Sequence, residues 1–182
     1  MKHVIEVELR GLLTKEQYDA LTRRLKDEGT AFEADDKDTY FFNVKNGIFK
    51  VCDEISKDQG KLSLKIGSVE MGALKEKEIV IPREQVPLFI DFFAMLGYAD
   101  YHHVLQKREN FFLKEATLSL KFTPDFQYHF ELEGALLEDE NLIEQEKIRL
   151  KSICDGYGLL PMEPEEIAAR IKEIRKHIGF DT

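Results

Sequence analysis

The stretch Val4-Ile5-Glu6-Val7-Glu8-Leu9-Arg10, near the start of the chain, decides how the rest of the sequence can fold. Successive side chains of a β-strand point to opposite faces, so its three charged residues share one face and its aliphatic residues share the other. Two arrangements fit this pattern. The charges face solvent on a half-exposed sheet, or they face an enclosed polar tunnel while the aliphatic face packs under helices. This strand alone does not decide between them.

Composition narrows the class of protein. The 182 residues suffice for one domain with a substantial core, since 43% of them are hydrophobic. The net charge of −9 argues against a general nucleic-acid binder, which would present a basic surface. Cys52 and Cys154 lack the spacing of a zinc site or a disulfide scaffold. With no apolar run long enough to span a bilayer and no visible signal peptide, we expect a cytoplasmic protein that does not bind membranes.

Alternation and turn signals predict about eight strands interrupted by helices. Thr14-Lys15-Glu16-Gln17 has the form of a capping box and predicts a helix after the first strand, and Asn46-Gly47 predicts a hairpin turn. The isoleucine stripe of the last helix predicts a packing face, either in the core or between two copies of the chain. Adjacent strands joined by short turns pair antiparallel, and eight of them can close into a barrel. Strands are predicted at residues 4–10, 39–44, 48–55, 61–66, 75–81, 104–113, 117–122 and 126–133, and further helices at 84–96, 139–154 and 164–178.

Three pairs of glutamates, each spaced two residues apart, lie on these strands: Glu6-Val7-Glu8, Glu76-Lys77-Glu78 and Glu131-Leu132-Glu133. This spacing puts both carboxylates of a pair on one side of a strand, about 6.5–7 Å apart. Pairs on neighbouring strands could converge on a hard divalent cation, and basic residues beside them would suit the phosphates that such a metal accompanies. A solvated charged face remains the alternative. The basic residues on the same predicted faces are Arg10, Lys61, Lys65, Arg108 and Lys121.

The opening Glu6-Val7-Glu8-Leu9-Arg10 resembles the E-x-E-x-K signature of the CYTH family, the triphosphate tunnel metalloenzymes. That family includes class IV adenylyl cyclases, thiamine triphosphatases and inorganic triphosphatases. Further motifs extend the resemblance over most of the first 135 residues: Asp38-Thr39-Tyr40, Leu62-Ser63-Leu64-Lys65, Glu76-Lys77-Glu78, residues 104–108 and Phe130-Glu131-Leu132-Glu133-Gly134.

The resemblance implies a fold of the α+β class, an eight-stranded antiparallel β-barrel that is open as a tunnel, with charged residues inside and helices packed outside. Residues 1–182 would form a single such domain, with C-terminal helices from about 138 to 179. It also implies a homodimer, and a small-molecule triphosphate or nucleotide as the partner.

Matching positions imply roles for individual residues. The metal, Mg²⁺ or Mn²⁺, would be held by Glu6, Glu8, Glu131 and Glu133, with Glu76 and Glu78 at a second metal or water site. The phosphates would be bound by Arg10, Lys50, Lys65, Arg108 and Lys121. Lys65 and Tyr40 would form the catalytic pair.

The chain departs from the family pattern mainly where phosphate is bound. Arg10 stands where lysine is usual, and Lys121 occupies a position where an aspartate often assists the metal. Cys52, Leu74 and Gln106 replace basic residues of the pattern. The metal ligands of the family pattern are therefore largely present in this sequence, whereas several of its basic phosphate-binding residues are replaced.

We expect a metal-dependent hydrolase of an inorganic or organic triphosphate, in which Lys65 and Tyr40 position or deprotonate the attacking water. A class IV-type adenylyl cyclase that makes cyclic AMP from ATP would use the same tunnel. No purine pocket can be identified in the sequence, which favours hydrolysis. A non-catalytic protein that binds polyphosphate or a nucleotide also fits the pattern, and so does an interaction domain whose charged faces are merely solvated.

Overall fold

A curled antiparallel sheet and four helices make up the part of the chain that the computed structural model describes, which is residues 5–44, 47–68 and 73–177. Val4, Asn46 and Ile178, which belong to predicted features, lie outside these ranges. The strands are β1 Ile5–Leu12, β2 Phe32–Ala34, β3 Lys37–Phe42, β4 Gly47–Glu54, β5 Gln59–Ser68, β6 Ala73–Pro82, β7 Tyr101–Leu113, β8 Ala116–Thr123 and β9 Gln127–Glu133. The helices are α1 Lys15–Asp27, α2 Val86–Met95, α3 Ile143–Tyr157 and α4 Pro164–His177.

The long strand β7 closes the sheet into a barrel because it pairs with β3 along one edge and with β8 along the other. The pairing order runs β7-β3-β4-β5-β6-β1-β9-β8 and then returns to β7. The short strand β2 shares an edge of β7 with β3, with Phe32 opposite Phe111. These pairs are all antiparallel, so the predicted α+β barrel is confirmed. Sequence patterns do not predict β2, since three residues are too few to show alternation.

The two faces of β1 have the opposite of their usual roles. Val7 packs outward into a core that includes Leu25 of α1 and Leu150 of α3, and all three are fully buried. The charged face points into the barrel, where Glu6 is 8% exposed and Glu8 is 3% exposed. Of the two arrangements that the sequence leaves open, the structure therefore has the enclosed polar tunnel.

The helices cover the apolar outer face of the barrel. The predicted capping box begins α1, since the Gln17 backbone N–H donates to Thr14 Oγ1 at 3.2 Å and the Thr14 N–H donates to Gln17 Oε1 at 2.8 Å. Helix α2 lies over a second apolar cluster, in which Val86 meets Val51 of β4 and Ile81 of β6. No helix among the described residues is long and apolar enough to cross a membrane.

Helix α4 lies across one end of the barrel. The segment before it is joined to β1, because the Met162 N–H donates to the Arg10 carbonyl at 2.7 Å. Ile167 is buried against Ile48, which lies on the tunnel face of β4. The Arg170 guanidinium donates to a carbonyl of the turn between β8 and β9 at 2.7 Å. At its first residue, Ile167, the isoleucine stripe of α4 therefore packs in the core.

A test of this packing is the close approach at Gly11. A Cβ added there would lie 2.3 Å from the Leu160 carbonyl oxygen and 2.3 Å from the Phe130 ring. The carbonyl is backbone and cannot rotate away, so we expect Gly11→Ala to lower the free energy of unfolding by about 2 kcal/mol.

The matched control is Gly156→Ala in α3, where nothing lies within 4 Å of the added Cβ. Alanine favours a helix over glycine by about 0.5–1 kcal/mol, so this variant should be more stable than the wild type. Urea denaturation should show shifts of opposite sign for the two variants. An unchanged midpoint for Gly11→Ala would contradict the described contact.

Candidate metal and phosphate site

Three carboxylates converge inside the barrel. The alternation of β1 places Glu6 and Glu8 on the tunnel face, and the antiparallel ladder puts Glu133 of β9 directly opposite Glu8. One carboxylate oxygen from each of the three lies within 4.8 Å of the other two. We call these residues the glutamate triad. Carboxylate oxygens are the ligands that Mg²⁺ and Mn²⁺ favour, so the triad has the donor set of a site for a hard divalent cation.

The environment of Glu8 tests whether the triad fits a metal ion. Glu8 Oε2 is buried and has no hydrogen-bond partner among the described residues, which is a costly state for a carboxylate oxygen. Burial raises the pKa of Glu8, and the charges of Glu131 and Glu6 add to this effect while Arg10 opposes it. A divalent cation would give this oxygen a partner and would favour the ionised form. The residues therefore fit the metal that the resemblance implies.

Three basic residues on the tunnel face each form an ion pair with one member of the triad. The pairs are Lys65–Glu6, with 2.7 Å between Nζ and Oε2, Arg10–Glu8, through Nη2 and Oε1, and Arg108–Glu133, with 3.3 Å between Nη2 and Oε1. We call these three residues the triad cations. Their side chains are mostly buried, so the phosphate oxygens of a metal-bound ligand would meet two planar guanidinium groups and one ammonium group with little competing water.

Glu131 lies beside the triad but is held by two cations. Its Oε2 contacts Lys121 Nζ, and its Oε1 lies 3.6 Å from Arg10 Nε. Burial alone would raise the pKa of Glu131, yet the charges of Lys121 and Arg10 hold it well below its usual value. Burial, helped by the charge of Arg108, lowers the pKa of Lys121 to about 8. The structure thus brings Glu131 and Lys121 to the site as a pair.

Comparisons with known proteins agree with this arrangement at the level of fold. No protein-family model and no curated protein sequence matches the chain. Among solved structures, the PH1012 protein of Pyrococcus horikoshii is 17% identical, with 87% of this chain and 94% of that chain covered and a TM-score of 0.74. A Vibrio parahaemolyticus protein for which adenylate cyclase activity has been proposed is 13% identical, with coverages of 85% and 89% and a TM-score of 0.64. The chain has the CYTH fold. A chain of the Schizosaccharomyces pombe Mediator head module is also similar, at 12% identity, coverages of 87% and 100%, and a TM-score of 0.66.

A second charged cluster in the CYTH tunnel is not marked by sequence motifs. Lys37 Nζ lies 2.9 Å from Asp35 Oδ2 and 2.8 Å from Glu54 Oε1, and Glu54 Oε2 accepts from Gln59 Nε2 at 2.6 Å. In the sequence, Asp35 falls in a charged link between a helix and a strand, a position typical of a surface residue. Glu54 could have been found, because it continues the inward face of β4 two residues after Cys52.

Three other predicted site residues, on β4 and β6, lie outside the triad. Glu78 pairs with Lys61 at 2.6 Å, has a 41% exposed side chain and is not part of the triad. Lys50 lies on the tunnel face of β4, opposite Ser63 in the ladder with β5. The ladder of β5 with β6 places Glu76 opposite Lys65, and the side chain of Glu76 lies outside the described part of the chain.

Tyr40 lies on the outer face of the CYTH barrel, away from Lys65. It packs against the apolar cluster beneath α2, stacks on His103 with 4.6 Å between ring centroids, and lines an outer cavity of about 580 Å³. The cause is strand alternation: Lys37 faces the tunnel, so Tyr40, three residues later on β3, faces outward. The structure does not assemble the predicted Lys65–Tyr40 pair.

The pKa of Glu54, in the second charged cluster, can be tested through the pH dependence of the free energy of unfolding. Burial alone would raise the pKa of Glu54, but hydrogen bonds from Gln59 and Lys37 and the charges of Lys37 and Lys61 lower it to about 2, from an ordinary value of 4.5. The unfolded chain therefore takes up this proton first as the pH falls. Glu54 stabilises the fold above about pH 4.5, and this contribution of roughly 2 kcal/mol is lost between about pH 4.5 and pH 2.

The variant Glu54→Gln lacks this titration. Its free energy of unfolding should be lower than that of the wild type at pH 7, and the difference should shrink as the pH falls towards 3. Urea denaturation at several pH values measures this, and the other carboxylates cancel in the comparison. A difference that stays constant from pH 7 to pH 3 would contradict the lowered pKa.

Proposed function

We propose that this protein is a metal-dependent hydrolase of an inorganic or organic triphosphate, with the metal at the glutamate triad and the phosphates at the triad cations. The observation that carries the proposal is the juxtaposition of three converging carboxylates with three basic side chains inside a closed barrel. A merely solvated charged face would not bury these groups. A metal-bound polyphosphate is the ligand whose charges match both halves of the site.

The residues of the tunnel would share the work of catalysis. A bound Mg²⁺ or Mn²⁺ would be held by the triad and would polarise a phosphoryl group and lower the pKa of a bound water. Arg10 and Arg108 would bind phosphate oxygens through their planar guanidinium groups and offset the charge that develops on them. Lys65, which contacts Glu6, would orient the attacking water by donating a hydrogen bond. The burial of these groups keeps bulk water from screening them.

Two further functions are candidates on specific grounds. Cyclisation of ATP is supported by the Vibrio parahaemolyticus neighbour, and it would use the same metal and cations with the 3′-hydroxyl of the substrate as nucleophile. Binding without turnover is supported by the thinned set of basic residues and by the position of Tyr40 outside the tunnel. An assay that measures bound ligand, released phosphate and cyclic nucleotide separates all three.

The metal assignment predicts the effect of a triad substitution. Glu8→Gln should lower Mg²⁺- or Mn²⁺-dependent phosphate release from tripolyphosphate by at least about 100-fold, since even the outer partners of a metal ligand are worth roughly 10–100-fold. Chelation of the metal should abolish release by the wild type. The matched control is Glu109→Gln, because Glu109 lies on the outer face of β7, where it pairs with Lys26 at 2.7 Å.

Each result of this assay has a defined meaning. Equal turnover by Glu8→Gln and the wild type would refute the triad as the metal site. Tight binding of tripolyphosphate by the wild type without turnover would favour the binding protein, and cyclic AMP formed from ATP would favour the cyclase.

The position of Tyr40 predicts an asymmetry between two single substitutions. Lys65→Ala should reduce turnover by about 100-fold or more, as expected for a group that assists proton transfer at the reacting water. Tyr40→Phe should stay within about threefold of the wild type, because its hydroxyl lies on the other face of the sheet. Steady-state rates on tripolyphosphate measure both. An equal loss in the two variants would restore the Lys65–Tyr40 pair as the catalytic unit.

A further inference from the structure

We propose that metal binding creates the phosphate site, because a divalent ion at the glutamate triad releases Arg10, Lys65 and Arg108 from their glutamates. Metal and polyphosphate would then bind cooperatively, each raising the affinity for the other. The proposal rests on the proposed function, from which it takes the triad as the metal site. It goes beyond that function by stating how the tunnel changes from a closed network of ion pairs into a binding site for an anion.

The pairing of each triad glutamate with a triad cation is the first observation behind this proposal. Each candidate metal ligand pairs with its own triad cation, and the three negative and three positive charges cancel. Without a metal, the site therefore offers an anion no net attraction. A polyphosphate that took the triad cations would leave three carboxylates buried without their partners, which is strongly unfavourable.

A divalent ion reverses this balance. It shares the negative charge of the carboxylates and leaves the site with a net charge of plus two. It also repels the Lys65 ammonium and the two guanidinium groups, which lie within hydrogen-bond distance or little more of the metal ligands. Glu8 Oε2, the buried oxygen without a partner among the described residues, gives the ion a point of entry that needs no pair to break first.

Cooperativity follows from a thermodynamic cycle. Metal alone and polyphosphate alone must each weaken the same three ion pairs, whereas the two together do so once. The coupling is reciprocal, and couplings of this kind are typically about 5- to 150-fold in affinity. We expect the metal to raise the affinity for polyphosphate by at least about tenfold through release of the cations.

The neighbouring pair Lys61–Glu78 supplies a matched control. Lys61 lies four residues before Lys65 on β5 and therefore faces the same tunnel. It pairs with Glu78 at 2.6 Å and lies 3.4 Å from Glu54. Substitutions in this pair change the charge of the tunnel wall by the same amount as substitutions in the triad, without freeing a triad cation.

The first experiment measures anion binding without metal. Glu8→Gln removes the closer of two carboxylates at Arg10, and Glu133→Gln removes the closer of two at Arg108. Both variants should therefore bind tripolyphosphate at least about fivefold more tightly than the wild type in metal-free buffer. Glu78→Gln should stay within about twofold of the wild type. Isothermal titration calorimetry gives the affinities, and thermal unfolding identifies any variant that does not fold. If the triad variants bind no more tightly than Glu78→Gln, the proposal is overturned.

The second experiment measures metal binding without anion. Lys65→Met removes the ammonium group that lies 2.7 Å from Glu6 Oε2 and should raise the affinity for Mn²⁺ at least about fivefold, while Lys61→Met should stay within about twofold. Electron paramagnetic resonance of free Mn²⁺ gives both affinities. Equal affinities in the two variants would overturn the proposal.

Neither experiment depends on turnover, so the two proposals can fail separately. If the wild type binds Mn²⁺ and Glu8→Gln, Glu133→Gln and Lys65→Met all behave like their controls, only the coupling fails. If the wild type binds no Mn²⁺, the metal site of the proposed function and the coupling both fail. If the coupling is observed and no phosphate is released, the protein is a metal-dependent binding protein.

Discussion

The interior of this barrel is lined by charges, and every buried charge requires an opposite charge or a hydrogen bond within reach. The structure meets this requirement by pairing along and across strands. Lys65 pairs with Glu6 at 2.7 Å, and Lys37 bridges to Glu54 at 2.8 Å in the second cluster. Because these charges are paired within the described part of the wall, the barrel can keep these side chains in place without a ligand.

The apolar core lies outside the barrel, so the outward face of each strand packs in the core while its inward face carries the charged residues. On β9, Glu131 and Glu133 face the tunnel, while Phe130 and Leu132 face outward and are fully buried. Buried ion pairs contribute little net stability, because desolvation offsets most of their attraction. The hydrophobic clusters beneath α1, α3 and α2 therefore supply the stability, which leaves the inner face available for chemistry.

Sequence patterns predict the faces of strands better than they predict which side chains meet. The alternation of β1 and of the distant Glu131-Leu132-Glu133 places the candidate metal ligands on one face of each strand, because a period of two assigns every residue of a strand to one side. The expectation that this face points inward comes from the family resemblance. The pairing of Glu8 with Glu133 depends on the register between strands far apart in sequence. The difference between Glu131 and Glu133 depends on the cations beside them, because Lys121 and Arg10 both contact Glu131, which lies outside the triad.

Residues 39–44 show why the position of Tyr40 escapes prediction. Four of its six residues are aromatic or aliphatic, and three aromatic residues follow one another, so alternation does not clearly identify its inward face. The family motif alone suggests that Tyr40 joins Lys65. The deciding fact is that Lys37 begins β3 with its side chain in the tunnel, and this places Tyr40 under α2. The charged link around Asp35 misleads in a different way. Its charges predict a solvent-exposed segment, although Asp35 is only 1% exposed.

Lys121 shows how one substitution can change the charge of such a tunnel while the fold stays the same. An acidic residue at this position would lie beside Glu131 in a buried site, and the repulsion between them would require a further cation. Lysine supplies that cation from the protein itself and pairs with Glu131. In the proposed function, the carboxylates that would hold a metal are then those of the triad, and the cations that would bind phosphate are their partners. Under the proposed function, metal and phosphate would bind opposite members of the same ion pairs, so each ligand would weaken pairs that the other must also open.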